Sequence, residues 1–325
     1  MLSKAAGNLL GSIGNTPIVQ LHRAVENCRP NVYAKLEFMN PGGSIKDRIA
    51  LYMIEKAERK GLLKQGYTIV ENSSGNTAIG LAMVALQKGY GAKIIMRDST
   101  SREKIEIVKN LGAEVILVNS RLDPGHPDSY NNITPRIVKE TADCYFPDQH
   151  NNLDNNEAHY MTTGPEIYRQ MDGKIDCFIA GIGTGGTVCG AGRYLKEMNP
   201  GIKVIAVDVK GSIFYDYFHY KKIVKSERYF LEGLGDEFLI KCPQFEYIDE
   251  MLQVTDSQAF HWTRILAEKE GIIAGGSSGA VLWAVNEASK KMDSKANIVA
   301  IIADSGYRYM RTIYNNDWLK ENNLL

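Results

Sequence analysis

One lysine stands where a side-chain amine could act as a nucleophile. Residues 39–48 form a turn rich in Pro and Gly that delivers Lys46 into a predicted helix. The helix is indicated by apolar residues that recur at a period near 3.6, namely Ile45, Ile49, Ala50, Met53, Ile54 and Ala57. Ser44 is predicted to cap it, and the positive end of the helix dipole then favours the neutral amine of Lys46. A solvated lysine at a helix start is also compatible with this segment alone.

Three further segments share one design, in which a short turn of Gly, Ser and Thr leads into a helix. Such a turn aims unpaired backbone N–H groups and the positive dipole end at an anion. Residues 183–187 combine glycines with two threonine hydroxyls, which suits a phosphate. Residues 73–77 carry short hydroxyl and amide donors, which suit a carboxylate, although simple N-capping also explains them. Residues 275–279 form a third helix start, where a neutral hydroxyl could meet a ring nitrogen.

The turn at residues 181–186 has a second interpretation. Gly181, Gly183 and Gly186 spell G-x-G-x-x-G after a predicted strand, and Asp208 ends the next strand. An acidic residue about 20 positions after the glycines completes the dinucleotide fingerprint, so an NAD-dependent oxidoreductase competes with the phosphate site here. Close packing of helix on strand without any ligand is the third interpretation.

The order of elements predicts an α/β protein. Strands and helices alternate along the chain, which is typical of parallel sheets covered by helices. Strands are predicted at residues 18–21, 32–37, 68–71, 92–96, 114–118, 176–180, 203–208 and 297–302. Helices are predicted after the lysine turn and after the turns at 73–77 and 275–279. Others are predicted at residues 101–111, 133–141 and 256–269, within 155–170, and from the turn at 181–187 to about residue 198. Residues 119–130 are predicted to be a loop, and residues 211–236 an irregular aromatic segment. Two α/β units with a cleft between them are the expected architecture.

Composition excludes several classes of function. The 325 residues suit one large or two medium domains, and 44% of them are hydrophobic, which is enough for a substantial core. Lys plus Arg and Asp plus Glu both number 38, so a net charge of zero gives no electrostatic reason to expect nucleic acid or an acidic membrane as a partner. No window reaches about 18 consecutive apolar residues, so we expect a soluble, cytoplasmic protein.

The five cysteines indicate neither a disulfide framework nor a metal site. Their number is odd, and no C-x-x-C pair occurs. The apolar and small residues around Cys177 and Cys189 predict that both are buried.

Together, these motifs resemble the cysteine synthase / cystathionine β-synthase family, the fold type II enzymes that use pyridoxal 5′-phosphate (PLP). The resemblance covers nearly the whole chain and is carried, in order, by residues 14–17, 40–48, 74–77, 148–149, 183–187, 275–277 and 304–306. This set outweighs the oxidoreductase interpretation, because it accounts for all three turns. It implies two doubly wound α/β domains, similar to tryptophan synthase β, with PLP in the cleft between them. A smaller, mobile N-terminal domain would comprise residues 1–12 and 37–147, and a larger PLP-phosphate-binding domain residues 13–36 and 148–325.

The resemblance also implies roles for individual residues. Lys46 would hold PLP covalently and, once released, take the substrate α-proton as general base. Asn76 would meet the ring 3-hydroxyl and Ser277 the pyridine nitrogen, and a serine there leaves the nitrogen uncharged, which favours prompt loss of a β-substituent. The phosphate would be held by Gly183, Thr184, Gly185, Gly186 and Thr187. The substrate carboxylate would be held by Ser73, Ser74, Gly75, Thr77 and Gln149.

Some positions depart from the family pattern and point towards the cystathionine β-synthase catalytic core. Residues 231–238, hereafter the acidic loop, place Glu232 and Asp236 where cysteine synthases usually have an amide and small residues. If one of these carboxylates faces the substrate Cβ, it would activate a water or help a hydroxyl leave. Solvated loop carboxylates are the alternative. His150 stands where the family usually has Phe or Tyr, and packing alone would explain it.

The implied activity is that of a PLP-dependent lyase or transferase in sulfur amino-acid metabolism, acting at Cβ of serine, cysteine or an activated serine. Conversion of cysteine and water to serine and hydrogen sulfide is one hypothesis, and O-acetylserine sulfhydrylase activity is another. A non-catalytic amino-acid binder that retains the fold is a further alternative, besides the oxidoreductase. The resemblance implies small amino-acid substrates and a homodimer, for which the aromatic residues 214–220 are the candidate contact.

Overall fold

The computed structural model describes residues 5–123 and 125–325. Predictions that fall on residues 1–4, and on Pro124 inside the predicted loop, lie outside the described residues. The chain divides into two compact units, each with its own sheet. The first unit takes in the described residues up to Ile13 together with Asn40–Asp154, and the second takes in Gly14–Met39 and Asn155–Leu325.

The described residues form ten strands and eleven α-helices, numbered in chain order. The strands are β1 (Ile18–Leu21), β2 (Asn31–Leu36), β3 (Thr68–Asn72), β4 (Gly91–Arg97), β5 (Glu114–Val118), β6 (Cys144–Tyr145), β7 (Cys177–Gly181), β8 (Lys203–Val209), β9 (Glu250–Val254) and β10 (Asn297–Ile302). The helices are α1 (Lys46–Arg59), α2 (Asn76–Lys88), α3 (Arg102–Asn110), α4 (Tyr130–Glu140), α5 (Asp154–Ala158), α6 (Gly164–Gln170), α7 (Gly186–Met198), α8 (Phe214–Tyr220), α9 (Asp256–Glu270), α10 (Gly276–Ser289) and α11 (Asn316–Glu321). A π-helical turn, His159–Thr163, separates α5 from α6.

The first unit is built on a parallel sheet with strand order β5-β4-β3-β6. Side chains that alternate along a strand point to opposite faces. On β3, Ile69 packs in a core with residues of α1, α2 and α3, whereas Val70 packs on the other side with Ile137 of α4. The sheet is therefore covered on both faces, as its continuous apolar strands predict.

The second unit is built on a six-stranded sheet with strand order β1-β2-β10-β7-β8-β9. Only the β1–β2 pair is antiparallel, and the other neighbours are parallel. One large core joins alternate residues of β10, Ile298, Ala300 and Ile302, to the buried faces of α9 and α10. The predicted α/β fold class is confirmed in both units.

Each parallel sheet contains a point where the order of strands reverses. In the first unit the chain runs outward from β3 to β4 and β5 and then returns to the other side of β3 as β6. In the second unit it runs from β7 to β8 and β9 and returns as β10 beside β7. Ligands of open α/β sheets bind at the carboxyl ends of strands at such a reversal.

The predicted elements are confirmed in most of the chain, and three strands, 18–21, 114–118 and 297–302, have the predicted bounds. The prediction that residues 211–236 are wholly irregular is wrong, because they contain α8. Its sequence is almost entirely aromatic, and aromatic residues favour strands over helices. The prediction also missed β6, β9 and α11, which are short.

The cysteines are free, and Cys177 and Cys189 are fully buried, as predicted. Burial raises the pKa of each of these two thiols to about 12. Within the described ranges, no helix is both long and apolar enough to cross a bilayer. The same ranges contain no group of three His, Cys, Asp or Glu side chains arranged to hold a metal ion.

A buried ion pair fixes one part of the second unit. The Lys35 ammonium on β2 is completely buried and donates to the Glu166 carboxylate at 2.9 Å, to Gln170 Oε1 at 2.8 Å and to Thr16 O at 2.7 Å. The Thr16 hydroxyl donates to the buried Glu37 carboxylate at 2.7 Å. Because a buried charge is costly unless it is paired, this cluster joins α6 and the segment before β1 to β2.

Replacing Lys35 with Met should destabilise the protein by about 3–5 kcal/mol, because it removes one partner of a buried ion pair. The free energy of unfolding in urea measures this. The control is Lys290→Met, which removes an exposed pair with Glu287 at 2.6 Å and should change stability by less than about 0.5 kcal/mol. Equal effects of the two substitutions would contradict the role assigned to Lys35.

Candidate active site

Lys46 is the first residue of α1, as predicted. The N-cap is Ile45, so the prediction that Ser44 caps the helix is wrong by one residue. Ser44 still supports the helix start, since its buried hydroxyl accepts the Lys46 N–H at 3.2 Å. The Lys46 side chain therefore leaves the N-terminal end of a helix, where the dipole favours a neutral amine.

Asp47 holds the turn before Lys46, and the sequence analysis missed it. Its completely buried carboxylate accepts the Gly42 N–H at 2.6 Å. Gly43 closes the same turn with a φ of 78° and donates its N–H to Asn40 O at 2.8 Å. The turn is thus fixed by the residue that follows the lysine, and the five-residue spacing of Gly and Asp is the signal in the sequence.

Helices α1 and α2 approach each other closely beside Lys46. Gly80 lies one turn inside α2, and a Cβ at this position would be 3.2 Å from Lys46 O and 3.1 Å from Ala50 Cβ. A side chain there would push the close-packed helices apart. The glycine thereby brings Lys46 near the start of α2. The turn of residues 73–77, which includes Asn76, lies there.

The turn before α2 contains two serines in different environments. Ser73 Oγ accepts the N–H groups of Gly75 and Ala78 at 3.4 and 3.2 Å, so its own hydrogen remains to be donated. Ser74 Oγ accepts the Arg97 N–H at 2.9 Å and also bonds the Tyr130 hydroxyl. Ser73 is therefore the better placed of the two to bind an anion.

Thr77 and Gln149 are brought together, as the predicted carboxylate site requires. Both are buried, and the Thr77 hydroxyl donates to Gln149 Oε1 at 2.6 Å. This bond fixes the orientation of the amide through its oxygen, and the NH₂ group on the other side is of the donor type that suits a carboxylate. Thr77 follows β3 and Gln149 follows β6, so the pair lies at the reversal of strand order in the first unit.

A buried acid stands directly before this turn, and the sequence analysis missed it. Glu71, on β3, is completely buried. Burial, with the Asp148 carboxylate as the second cause, raises the pKa of Glu71 well above its usual range. Burial therefore disfavours the charged form of an acid that lies behind a turn that would bind an anion. Its signal is a Glu that directly follows the apolar strand residues Ile69 and Val70.

In the second unit, residues 183–187 lead from β7 into α7 at the reversal of strand order. Gly185 has a left-handed φ of 84°, and α7 is 13 residues long. A Cβ at Gly186 would overlap the Asn155 carboxamide. The result is a cradle of backbone N–H groups at a helix N-terminus, which is the arrangement that binds phosphate.

Two side chains that precede α6 contact the hydroxyls of this cradle, and the sequence analysis missed both. Asn155 Nδ2 donates to Thr184 Oγ1 at 3.0 Å, which leaves the threonine hydrogen for a ligand. His159, in the π-helical turn, places Nε2 3.1 Å from Thr187 Oγ1 and Nδ1 2.9 Å from Thr163 Oγ1. The four-residue spacing of Asn155 and His159 is the signal, because it places both on one side of a helix.

The acidic loop lies directly on this cradle. A Cβ at Gly181 would overlap Leu234 Cδ2, and a Cβ at Gly183 would be 2.5 Å from Gly233 O. Real Cβ atoms cannot approach a carbonyl oxygen so closely without moving it. Position 183 must therefore be glycine for the loop to pack on the turn, and a side chain at position 181 would require Leu234 to move.

This packing explains the G-x-G-x-x-G spacing without a dinucleotide. Asp208, the acidic partner in that interpretation, is completely buried. Its two oxygens accept the N–H groups of Val209 and Tyr215, each at 2.9 Å, so it is not presented to a ribose. The oxidoreductase interpretation is therefore wrong.

Ser277 is the second residue of α10, at the third predicted turn. A Cβ at Gly275 would overlap the Asp304 carboxylate, and a Cβ at Gly276 would be 2.6 Å from Leu231 Cδ1. The acidic loop thus packs on both the cradle and the start of α10. It brings Ser277 and the cradle residues into one part of the second unit.

The two predicted acidic residues differ in their surroundings. Asp236 is half-buried, and its Oδ1 accepts the N–H groups of Glu237 and Phe238 at 2.7 and 3.3 Å. Glu232 is exposed on the same loop. Asp236 is therefore the better oriented carboxylate of the two.

A lysine at a helix start, a hydroxyl-rich turn and a glycine-rich phosphate cradle, on two α/β sheets, define the fold type II class of PLP enzymes. Residues 9–304 match the model of the family described as pyridoxal-phosphate dependent enzyme, and the chain belongs to this family.

Relatives with known names agree. A cystathionine beta-synthase of Apis mellifera is 39% identical over 99% of this chain, and a cysteine synthase of Staphylococcus aureus is 40% identical over 98%. This chain spans 64% of the length of the first protein and 100% of the second. A solved structure of a hydrogen sulfide-producing enzyme from Fusobacterium nucleatum has a TM-score of 0.87 at 35% identity, and the match covers 95% of this chain and 99% of that chain.

The residues present fit a PLP phosphate. The cradle is lined by backbone where side chains would intrude, and the Thr184 hydroxyl hydrogen is available to a phosphate oxygen. Lys46 would supply the amine that the cofactor aldehyde requires, because it lies at a helix start that favours the neutral form of an amine.

The requirement for glycine at position 181 is testable by a double-mutant cycle with Leu234. Gly181→Ala should destabilise the apoprotein by about 1–3 kcal/mol through overpacking, and Leu234→Ala by about 2–5 kcal/mol through loss of buried volume. If the two side chains compete for the same space, the double variant should lose at least about 1 kcal/mol less than the sum. Urea unfolding measures all four proteins, and strict additivity would contradict the packing argument.

Asp208 should give stability a distinct dependence on pH. Burial raises its pKa to about 7, against about 4 in an unfolded chain. The folded state therefore binds more protons between these values, and the contribution of this acid is complete below about pH 4 and is lost as pH rises through about 7. Asp208→Asn does not titrate, so the stability advantage of the wild type over this variant should shrink by about 2–4 kcal/mol between pH 4 and pH 8. Urea unfolding across that range measures it, and a constant difference would refute the assignment.

Proposed function

We propose that this protein removes the β-substituent of a small amino acid and replaces it, with cysteine and water giving serine and hydrogen sulfide as the main reaction. The observation that carries the proposal is the acidic loop, which packs on the cradle and holds Asp236 beside it. The relative from Fusobacterium nucleatum, described as hydrogen sulfide-producing, supports the same direction of chemistry.

The cofactor supplies the electron sink that makes loss of the α-proton and of the β-substituent possible. Lys46 holds it and afterwards takes the α-proton, at a helix start where a neutral amine is favoured. The backbone and hydroxyl groups of residues 183–187 hold the phosphate. Asn76 meets the ring hydroxyl, and Ser277 donates to the pyridine nitrogen without charging it.

The substrate carboxylate binds to the turn after β3 and to Gln149. The Thr77 hydroxyl fixes the Gln149 amide with its NH₂ group as donor, and Ser73 retains a hydroxyl hydrogen. Ser74 and Gly75 complete the turn. The raised pKa of the buried Glu71 behind the turn lowers its repulsion of a carboxylate.

Conversion of cysteine to serine differs from the other replacements in one step, the addition of water at Cβ. After loss of the α-proton the C–S bond breaks, and its electron pair leaves with the sulfur as sulfide. The oxygen of water then bonds to Cβ, and the proton held by Lys46 returns to Cα. The proton lost by this water moves to Asp236 as general base. Because Oδ1 accepts two backbone N–H groups, Oδ2 is the oxygen that receives the proton. Glu232, exposed on the same loop, is the second candidate for this role.

Synthesis of cysteine from O-acetylserine and sulfide is the second candidate function. It is favoured by the Staphylococcus aureus cysteine synthase, which this chain matches over its full length. This reaction needs no base for the incoming nucleophile, because sulfide is already an anion at neutral pH. Product identification with cysteine, serine and O-acetylserine in turn separates the two candidates.

We also propose that the protein is a cytoplasmic homodimer. Tyr220 at the end of α8 and Ile223 just after it are 65% and 67% exposed, which is unusual for large apolar side chains and suits a contact with a second copy. Light scattering of Tyr220→Ser and Ile223→Ser should then show a shift towards monomer.

Covalent attachment of the cofactor to Lys46 is directly testable. Borohydride reduction of the yellow protein should fix the cofactor to the peptide that contains Lys46, and Lys46→Ala should abolish product formation. Lys60→Ala, which changes an exposed lysine on the loop after α1, should keep both the colour and the activity. Label on any other lysine would overturn the assignment.

The role of Asp236 predicts a selective loss. Asp236→Asn should lower serine formation from cysteine by about 100-fold or more, because a general base contributes about 10²–10⁴-fold. Replacement of the cysteine thiol by an added thiol should persist. Glu237→Gln, at the next and exposed position, is the control and should leave both rates unchanged. Unchanged serine formation in Asp236→Asn would remove Asp236 from this role.

A further inference from the structure

The backbone of Asp236 is tied on both sides to one segment of the second unit. Its N–H donates to Ser212 Oγ at 3.2 Å, and its carbonyl accepts the Ile213 N–H at 3.2 Å. Ser212 follows β8 and is 2% exposed. The position of Asp236 therefore depends on where this one buried hydroxyl lies.

Ser212 is itself held by the buried Asp208. The Ser212 hydroxyl bonds the Asp208 side chain, whose two oxygens also accept the N–H groups of Val209 and Tyr215. Ser212 Oγ accepts the Phe214 N–H at 3.3 Å as well as that of Asp236. A hydroxyl that donates to a fixed carboxylate cannot rotate freely, so its acceptor side stays directed at Asp236.

The residue before Asp236 leaves no room for adjustment. Gly235 has a left-handed φ of 75°, and a Cβ there would be 2.7 Å from Ser212 Cβ. Its N–H donates to Ile182 O at 2.8 Å, between the two glycines on which the acidic loop packs. Asp236 is thus fixed relative to the cradle by Ser212 on one side and Ile182 on the other.

We infer that Ser212, held by Asp208, is a positioning residue for Asp236 and sets the direction in which the Asp236 carboxylate meets an incoming water. This inference rests on the proposed function, in which Asp236 is the base for water addition. Ser212 and Asp208 do not touch substrate or cofactor in this scheme. They act through the Asp236 backbone and so affect only the step that uses the carboxylate.

The test is a partition experiment on the holoenzyme. Cysteine is supplied with an added thiol, 2-mercaptoethanol, and the ratio of serine to thioether product is measured. Water needs a base at the site, whereas the thiol adds through the fraction that is already ionised in solution, so misplacing Asp236 should lower this ratio. A displacement of about 1 Å can reduce a rate by about 100-fold, and we expect at least a 10-fold fall in the ratio for Ser212→Ala. A general loss of folded protein lowers both products equally and leaves the ratio unchanged.

Matched variants make the outcome specific. Ser212→Thr keeps the hydroxyl and should restore much of the ratio, and Asp208→Asn should lower it as Ser212→Ala does. Ser289→Ala is the control, because Ser289 is equally buried in the same unit and its hydroxyl donates to Asn286 O at 2.8 Å within its own helix. This control should leave the ratio unchanged.

Asp236→Asn separates failure of this inference from failure of the proposed function. If Asp236→Asn does not change the ratio, the base assignment is wrong and the positioning role falls with it. If Asp236→Asn lowers the ratio but Ser212→Ala does not, only the positioning role is overturned. In the Asp236→Asn background, Ser212→Ala should produce no further fall, and an independent further fall would also contradict the inference.

Discussion

The candidate site of the second unit depends on one steric constraint, the direct packing of the acidic loop on the turn between β7 and α7. Leu234 and the Gly233 carbonyl occupy the space that side chains at positions 181 and 183 would need. This contact fixes the path of the cradle backbone and, three residues further on, the place of Asp236. The shape of an anion site and the location of a candidate base therefore follow from the same pair of missing side chains.

Strong local patterns allowed much of the fold to be predicted. The period of α1, the apolar strands and the three turns were visible because each is encoded within a few residues. Helix α8 was not visible, because its aromatic side chains favour strands. It is stabilised instead by tertiary contacts, including Asp208 on the Tyr215 N–H and the Phe245 ring against Phe214 and Tyr217.

Residues proposed to bind a ligand could be predicted from the sequence. Residues whose role is to hold those residues in place could not. Lys46, Ser277 and the cradle glycines belong to recognisable motifs. His159 acts through Thr187, 28 residues away, which only the folded chain brings near. Asp47 acts on Gly42 within the same turn, so its role is encoded in a spacing that residue type alone does not reveal. The G-x-G-x-x-G spacing, in contrast, predicted a ligand that does not bind there. Glycines that permit close approach of a dinucleotide equally permit close approach of a loop.

The π-helical turn at His159–Thr163 accommodates one more residue than a regular helical turn would. Deleting a single residue there would restore ordinary winding without breaking the helix. Five residues wound as a π-turn sweep nearly the same angle as four residues of an α-helix, so the residues before and after the turn would keep nearly the same rotational positions. Asn155 would therefore stay beside Thr184, whereas His159, inside the turn, would lose its place between Thr163 and Thr187, so a one-residue deletion should be felt at one threonine of the cradle and not at the other.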